Sequence, residues 1–423
     1  MIVEGVTRVP GDKSITHRAL LFGALARGRS HVGGALTSLD ARSSARVLRQ
    51  LGVDVSPLQS ERLVTLASRG RLARPDGVLN CGNSGTTTRL LLGMLAGHAF
   101  AARLTGDASL RRRPMRRVTV PLEHMGARIS DMDGDCLPLT IRGGRLRGLE
   151  YPMPVSSAQI KSCLLLAGVT GRVPVALREP TGRSRDHTER LLRAFGHAVT
   201  ESDDGWIRFE PTGRIEAFDM QVPGDPSSAA FLVGAAVLAE GGSLRISRVG
   251  VNPTRIGFLA VLRRMGATPR LEDEELTFGE PVADLVCEPA ELRATEVRAE
   301  EIPGLIDEIP LLAVVASRAR GTSVFRDVGE LRVKESDRLG LMAGNLRACG
   351  VAAEVCGEDL HVEGSERVPA GRVRTAGDHR LAMAFAVLGT LPGAKVRIDD
   401  LQCADVSFPR FPETLRAIRR RAR

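Results

Sequence analysis

Four lysines stand against 55 arginines in this 423-residue chain, and three of the four, Lys13, Lys161 and Lys334, fall inside short motifs of charged and small residues. Arginine grips anions through a planar fork but does not give up its proton, whereas a lysine ammonium is compact and can exchange one. The bias marks Lys13 and Lys334 as candidates for proton chemistry; for Lys161, inside an apolar helix after Gln159, a functional and a structural role weigh equally. Other chemistry-bearing residues recur along the chain: Ser14 and Arg18; Gly85; Asp107 with Arg113; Ser157 and Gln159; Arg185 with Asp186; Asp307; Glu335, Asp337 and Arg338; His379 and Arg380. A set this rich in cations and poor in carboxylates suits a polyanionic small substrate held by bidentate guanidinium pairs. The few acids, Asp307 and Glu335, are then the proton handlers.

The elements that must position these residues repeat. Pro10-Gly11-Asp12-Lys13-Ser14 opens an apolar helix, and Pro223-Gly224-Asp225-Pro226-Ser227-Ser228 opens another. At a helix start, free backbone N–H groups and the positive end of the dipole favour anions. Similar small-residue starts at Gly82-Asn83-Ser84-Gly85, Pro154-Val155-Ser156-Ser157, Pro303-Gly304-Leu305 and Gly377-Asp378-His379-Arg380 give spacings of 69 to 80 residues. A second marker keeps the same rhythm: a large apolar residue followed by Gly52, Gly126, Gly196, Gly266 or Gly350, each predicted as a left-handed helix cap before a strand. Two markers in phase predict six repeats, each with roughly two helices and three or four strands. Predicted strands cover 30–34, 63–68, 100–104, 137–141, 173–177, 206–210, 244–247, 322–325, 360–363 and 395–398. The fold class is therefore α/β (α+β) in two lobes of three repeats: residues 10–221, and residues 222–423 joined by the leading strand 1–9. Residues at equal phase sit at equal height, so the charged motifs are expected to meet in a cleft between the lobes.

Composition narrows the function. The formal net charge of +9 and the run Arg111-Arg112-Arg113 with Arg116-Arg117 invite a nucleic-acid reading, but aromatics at 3% cannot supply stacking platforms. Arg111, Arg112, Arg116 and Arg117 read as surface, and Glu301 and Glu308 as solvated charges at a helix end. No apolar run approaches the ~18 residues of a membrane span, and no targeting segment is evident. The seven cysteines and eight histidines show no metal-ligand spacing, which predicts no metal and a reducing cytoplasm, and no cofactor is expected. Nucleotide-binding and Ser-His-Asp signatures are missing as well.

Seven motifs together carry a resemblance: Pro-Gly-Asp-Lys-Ser-x-x-His-Arg (10–18), Gly-Asn-Ser-Gly-Thr-Thr-x-Arg-Leu (82–90), Gly-Asp-x-Ser-Leu-x-x-Arg-Pro-Met (106–115), Ser-Ala-Gln-x-Lys-Ser (157–162), Ser-Arg-Asp-His-Thr-Glu (184–189), Arg-Val-Lys-Glu-Ser-Asp-Arg (332–338) and Asp-His-Arg-x-Ala-Met (378–383). Over its full length the chain resembles the 3-phosphoshikimate 1-carboxyvinyltransferase family, enzymes of aromatic amino acid biosynthesis. The resemblance implies two lobes of three βαβαββ units, an inverse β-prism that closes on substrate. It implies transfer of the enolpyruvyl group of phosphoenolpyruvate to the 5-hydroxyl of shikimate 3-phosphate by addition and elimination, without metal. Lys13, Ser14, Arg18, Ser157, Ala158, Gln159, Arg185, Asp307 and Lys334 would hold shikimate 3-phosphate. Lys13, Gly85, Arg113, Gln159, Arg338 and Arg380 would surround phosphoenolpyruvate. Asp307 would take the hydroxyl proton, and Glu335 with Lys13 would handle the methyl proton. The family also binds glyphosate in the phosphoenolpyruvate site, and members with alanine at the Gly85 position tolerate it, so glycine predicts sensitivity. Val406 stands where some members have a lysine before Ser407-Phe408-Pro409, and the motifs resemble a branch lacking it. A monomer is expected. The nearest alternative is the sister transferase acting on a UDP-amino sugar, which typically has Lys-Asn where Lys13-Ser14 stands; a basic RNA-binding protein is the alternative from another class.

Overall fold

A helix that ends in a large apolar residue and then glycine can turn its chain sharply into a strand, because glycine adopts the left-handed conformation that a β-carbon disfavours. In the computed structural model, which describes residues 1–59, 62–180 and 182–420, this happens at all five marked sites: Gly52, Gly126, Gly196, Gly266 and Gly350 have φ of 83°, 112°, 82°, 108° and 84°. The chain divides into two compact units: Gly11–Val222 with Thr277–Glu280, and Met1–Pro10 with Pro223–Leu276 and Pro281–Arg423.

The first unit carries helices α1 (Lys13–Leu25), α2 (Leu39–Gln50), α3 (Gly85–Ala96), α4 (Arg116–Met125), α5 (Ala158–Gly171) and α6 (His187–Ala194). Its three four-stranded sheets share one plan. In the middle repeat Leu79–Asn80 pairs parallel with Ala101–Thr105, which pairs antiparallel with Leu139–Arg142, itself antiparallel to Arg128–Ser130. With α3 and α4 between strands, the chain order is β-α-β-α-β-β. The repeat containing α5 and α6 has the same order. The repeat containing α1 and α2 borrows its leading strand from the end of the unit: Asp219–Gln221 pairs parallel with Arg27–Gly33. The strands at Val64–Arg69, Ala101–Thr105, Val175–Arg178 and Trp206–Glu210 overlap the predicted ones.

Helices α1, α3 and α5 are apolar around most of their circumference, a pattern that requires burial on all sides. Leu20, Leu91 and Leu165 are fully buried in one core that also takes the inward faces of the amphipathic α2, α4 and α6 through Leu48, Leu122 and Leu191. The three buried helices thus hold their N-terminal starts fixed, and those starts bear Lys13, Gly85 and Gln159.

The second unit repeats the scheme with α7 (Pro226–Val237), α8 (Gly257–Met265), α9 (Ile309–Ala316), α10 (Arg338–Ala348), α11 (His379–Leu388) and α12 (Phe411–Ala417). The leading strand of the chain does pair here: Gly5–Thr7 lies parallel to Leu244–Gly250, and Ile2–Val3 lies antiparallel to Arg419–Arg420. The last repeat has a sheet of two parallel strands, Ala370–Val373 and Lys395–Ile398. α9 begins at Ile309, later than the start predicted at Pro303, which sits instead in a 3₁₀ turn over Ala299–Gly304. Pro310 explains the shift: without an N–H it fits only the first turn of a helix. α7, α9 and α11 are buried as α1, α3 and α5 are in the other unit.

Candidate active site

In the first unit the turn before α1 is fixed by two contacts. A β-carbon on Gly11 would collide with the carbonyl oxygen of Gly34, so only glycine lets this turn approach so closely. Asp12, fully buried, caps the helix by accepting the N–H of Ile15 at 2.7 Å. The next residue, Lys13, is held by Asp40 at 3.3 Å and keeps its side chain 19% exposed. Arg18, one turn on, is buried: its Nε donates to Thr188 Oγ1 and its Nη2 to Ser162 Oγ, both at 2.7 Å, and its Nη1 donates to the Ser14 carbonyl at 3.0 Å. Burial lowers its pKa to about 10, against the opposing pull of Glu189 and Asp12, so it stays charged at neutral pH. Arg185 reaches Ser14 Oγ at 3.4 Å. Lys13, Ser14, Arg18 and Arg185 are therefore brought together.

A second cluster forms at the start of α3, capped by Ser84, whose Oγ accepts the N–H of Thr87 at 3.1 Å. A β-carbon added to Gly85 would lie 3.4 Å from Arg113 Nη1 and 3.5 Å from Arg89 Nη1. Arg113 is steered by Asn83 at 2.7 Å, and Asn83 by Asp107 at 2.8 Å. Arg89 donates to the side-chain oxygen of Gln159 and to the Pro114 carbonyl, and Gln159 in turn donates to Thr86 Oγ1 at 3.1 Å. Nε of Arg113 is buried without a hydrogen-bond partner among the described residues. A polar chain ties this cluster to α1: His17 Nδ1 meets Ser44 Oγ at 2.8 Å, and Ser44 meets Thr87 Oγ1 at 2.7 Å. Burial pushes His17 down to about 4, with Lys13 and Arg18 adding to the shift and Asp40 opposing it. Ser157 and Ala158 open α5 half-buried, just before Gln159.

The second unit gathers the carboxylates. Arg338, fully buried at the start of α10, forks onto Asp378 through Nε at 2.8 Å and Nη2 at 3.2 Å, and Nη2 also donates to Glu335 at 2.6 Å. Burial alone would lower the Arg338 pKa, but Asp378, Glu335 and Asp307 raise it instead. Asp307 lies between two guanidiniums, 3.6 Å from Arg338 Nη1 and 3.3 Å from Arg380 Nη2. Arg380 sits at the start of α11, whose cap Asp378 accepts its N–H at 3.0 Å. Lys334 pairs with Glu330 at 3.9 Å.

Two sequence readings change, and a third, left open between function and structure, gains its partners. Glu308 is not a solvated helix-end charge: it is buried and accepts from the buried Ser227 hydroxyl, which is itself in contact with the buried Arg255. Glu301 is partly covered and paired with Arg264 at 2.7 Å, which, with the N–H of Arg298, overcomes the effect of burial and lowers its pKa. Lys161 is buried in an ion pair with Glu179 and Glu189. Arg89 was missed, although its place one turn after Gly85, at i+4 on the same helix face, could have marked it. The thiols of Cys81 and Cys163 are pushed up to about 11 and 12 by burial, so neither is a nucleophile at neutral pH. No helix among the described residues is long and apolar enough to cross a membrane.

Known proteins resemble this chain in sequence and in fold. The family model described as EPSP synthase (3-phosphoshikimate 1-carboxyvinyltransferase) matches residues 2–415. A 3-phosphoshikimate 1-carboxyvinyltransferase of Desulfitobacterium hafniense (strain DSM 10664 / DCB-2) is 44% identical over 98% of this chain and 95% of its own. One of Synechococcus sp. (strain RCC307) is 46% identical over 99% and 97%. The solved EPSP synthase of Acinetobacter baumannii superposes with a TM-score of 0.88 at 38% identity, covering 99% of this chain and 96% of that one. The enolpyruvyl transferase NikO of Streptomyces tendae shares the fold, with a TM-score of 0.79 at 17% identity.

Proposed function

The chain belongs to the EPSP synthase family, whose reaction moves the enolpyruvyl group of phosphoenolpyruvate to shikimate 3-phosphate, and on that premise we propose which residues carry it. Lys13, Ser14, Arg18, Ser157, Ala158, Gln159, Arg185, Asp307 and Lys334 hold shikimate 3-phosphate. Lys13, Gly85, Arg113, Gln159, Arg338 and Arg380 surround phosphoenolpyruvate. Two phosphates and two carboxylates repel one another, and a set of cations this dense is what their common binding needs. The 5-hydroxyl loses its proton to Asp307 while its oxygen bonds to C2 of phosphoenolpyruvate and C3 gains a proton, becoming a methyl. Loss of phosphate from C2 and of a proton from that methyl then restores the double bond. Glu335 and Lys13 give and take the methyl proton.

The observation that carries this reading is the seat of Asp307, a proton acceptor within 3.6 Å of two of the three guanidiniums assigned to phosphoenolpyruvate, those of Arg338 and Arg380. One C–O bond forms at C2, another breaks as phosphate leaves, and the protons given and taken balance with no net oxidation or reduction, so no cofactor is invoked. Glyphosate is proposed to compete at the phosphoenolpyruvate residues. An active monomer is proposed, and seven free thiols fit a cytoplasmic setting.

The test is phosphate release from phosphoenolpyruvate with shikimate 3-phosphate or a UDP-amino sugar as acceptor. Release is expected with shikimate 3-phosphate alone. Release with the sugar nucleotide, or with neither, would overturn the reading.

A further inference from the structure

We infer that Lys161, Glu179 and Glu189 form a buried positioning device for Arg18 and Arg185, the two arginines assigned above to shikimate 3-phosphate; the inference rests on that assignment. Lys161 lies in the first turns of α5, Glu179 follows the strand Val175–Arg178, and Glu189 lies in α6. Their side chains are 1%, 6% and 2% exposed, and the lysine ammonium sits 3.0 Å from Glu179 and 2.8 Å from Glu189. Stability alone does not explain such a group, since well-packed apolar residues in place of a buried ion cluster are often neutral or stabilising.

What the group touches does explain it. Lys161 Nζ donates to the Ser184 carbonyl and the Ser184 N–H donates to Glu179, both at 3.2 Å. Both backbone polar groups of the residue before Arg185 are thereby clamped. A cavity of about 530 Å³ lined by Lys161, Glu179, Ser184, Glu189 and Arg193 borders this segment, so apolar packing does not hold it on that side. The second arm runs through the neighbours of Lys161 and Glu189. Ser162 and Thr188 each accept from the Arg18 guanidinium at 2.7 Å, and the Thr188 hydroxyl donates to Ser162 at 2.7 Å. With Nη1 on the Ser14 carbonyl, three of the five guanidinium N–H groups are committed to the protein. The plane of the fork is set, and its other two donors keep a fixed direction for a ligand.

Steady-state kinetics and melting temperatures of Lys161→Met, Glu179→Gln and Thr188→Val test this, with Arg185→Ala as the control for the assignment. Each of the four is expected to raise KM for shikimate 3-phosphate about tenfold, the effect of one lost charge-assisted hydrogen bond. KM for phosphoenolpyruvate should change less than about threefold, a split that general loosening would not produce. Glu179→Gln and Thr188→Val keep the side-chain shape and serve if Lys161→Met does not fold. If Arg185→Ala raises KM for shikimate 3-phosphate while the other variants leave it within about twofold, the cluster is only structural and the inference falls. Equal rises for both substrates would also overturn it. If Arg185→Ala itself has no effect, the assignment fails first and the inference with it.

Discussion

The starts of α1 and α7 are built on the same turn and end up with opposite characters. Asp12 and Asp225 both cap their helices from buried positions, Asp12 by accepting the N–H of Ile15 at 2.7 Å and Asp225 that of Ser227 at 2.7 Å. Counted from these caps, Lys13 corresponds to Pro226, His17 to Ala230 and Arg18 to Phe231. The first helix therefore presents two cations where the second has a proline and a core aromatic, Phe231, edge-on to Phe411 at 6.1 Å. An arginine does reach the α7 start, but it comes from elsewhere and is consumed: Arg255 Nη2 lies 3.2 Å from Asp225 and 3.0 Å from Ser227, and Ser227 is bonded to Glu308. All four are buried. A helix start that favours anions becomes a ligand site only if the chain's own carboxylates do not already fill it.

The largest effect expected from breaking this contrast is at Lys13. Lys13→Arg keeps the charge but neither the compact shape nor the exchangeable proton, and turnover should fall by roughly a thousandfold or more, within the 10²–10⁴ range of a lost proton-transfer group. Near-normal kcat would remove Lys13 from the chemistry. Asp307→Asn should lose turnover on a similar scale while still binding both substrates, measured by calorimetry; equal loss of binding and turnover would make Asp307 structural.

At α7 the same kind of change should be felt in stability instead. Arg255→Leu leaves the buried Asp225 without its arginine, and removing one partner of a buried pair typically costs about 3–5 kcal/mol. Denaturant midpoints should shift accordingly, while kcat per folded molecule stays close to that of the parent. A fall in kcat with unchanged stability would mean that the α7 start is a site after all.

His17 distinguishes the two helices by pH, since Ala230 cannot titrate. Its folded pKa of about 4 lies below the unfolded 6.5, so between those values the unfolded chain binds more protons and acid favours unfolding. Stability is fully present above about pH 6.5 and is lost as pH falls towards 4, by about 3 kcal/mol for a shift of roughly 2.5. His17→Gln should flatten that part of the curve. An identical slope in parent and variant would show that His17 is not the group responsible.

Local chemistry made much of this legible in the sequence. The capping glycines, the Asp and Ser caps and the all-apolar helices are set by nearest neighbours, and the strands at Thr322–Phe325 and Lys395–Ile398 coincide with the predicted ones. What was not legible depends on residues far apart. The burial of Glu308 needs Ser227, 81 residues away. The hold of Arg89 on Gln159 spans 70 residues and joins α3 to α5. Nor could spacing show that Glu179 and Glu189 converge on Lys161, because each comes from a different element.

A third helix start sharpens the comparison at the smallest scale. At α3 the position after the cap is Gly85, and the selective feature is the missing side chain. A β-carbon placed there would meet Arg113 Nη1 at 3.4 Å, Arg89 Nη1 at 3.5 Å and Leu110 Cδ1 at 3.8 Å. These are ordinary van der Waals distances, so Gly85→Ala should fold without strain, and the methyl would take its room from whatever lies against the two guanidiniums. Glyphosate is somewhat longer than phosphoenolpyruvate and should feel that loss more. An added methyl in a tight pocket costs about 1–3 kcal/mol, so the half-inhibitory concentration should rise roughly ten- to a hundredfold at fixed phosphoenolpyruvate, with a smaller rise in KM for phosphoenolpyruvate. The parent should be sensitive. Inhibition curves for the two proteins decide the matter: a tolerant parent, or curves that superimpose, would show that the length of this pocket is set by some residue other than Gly85.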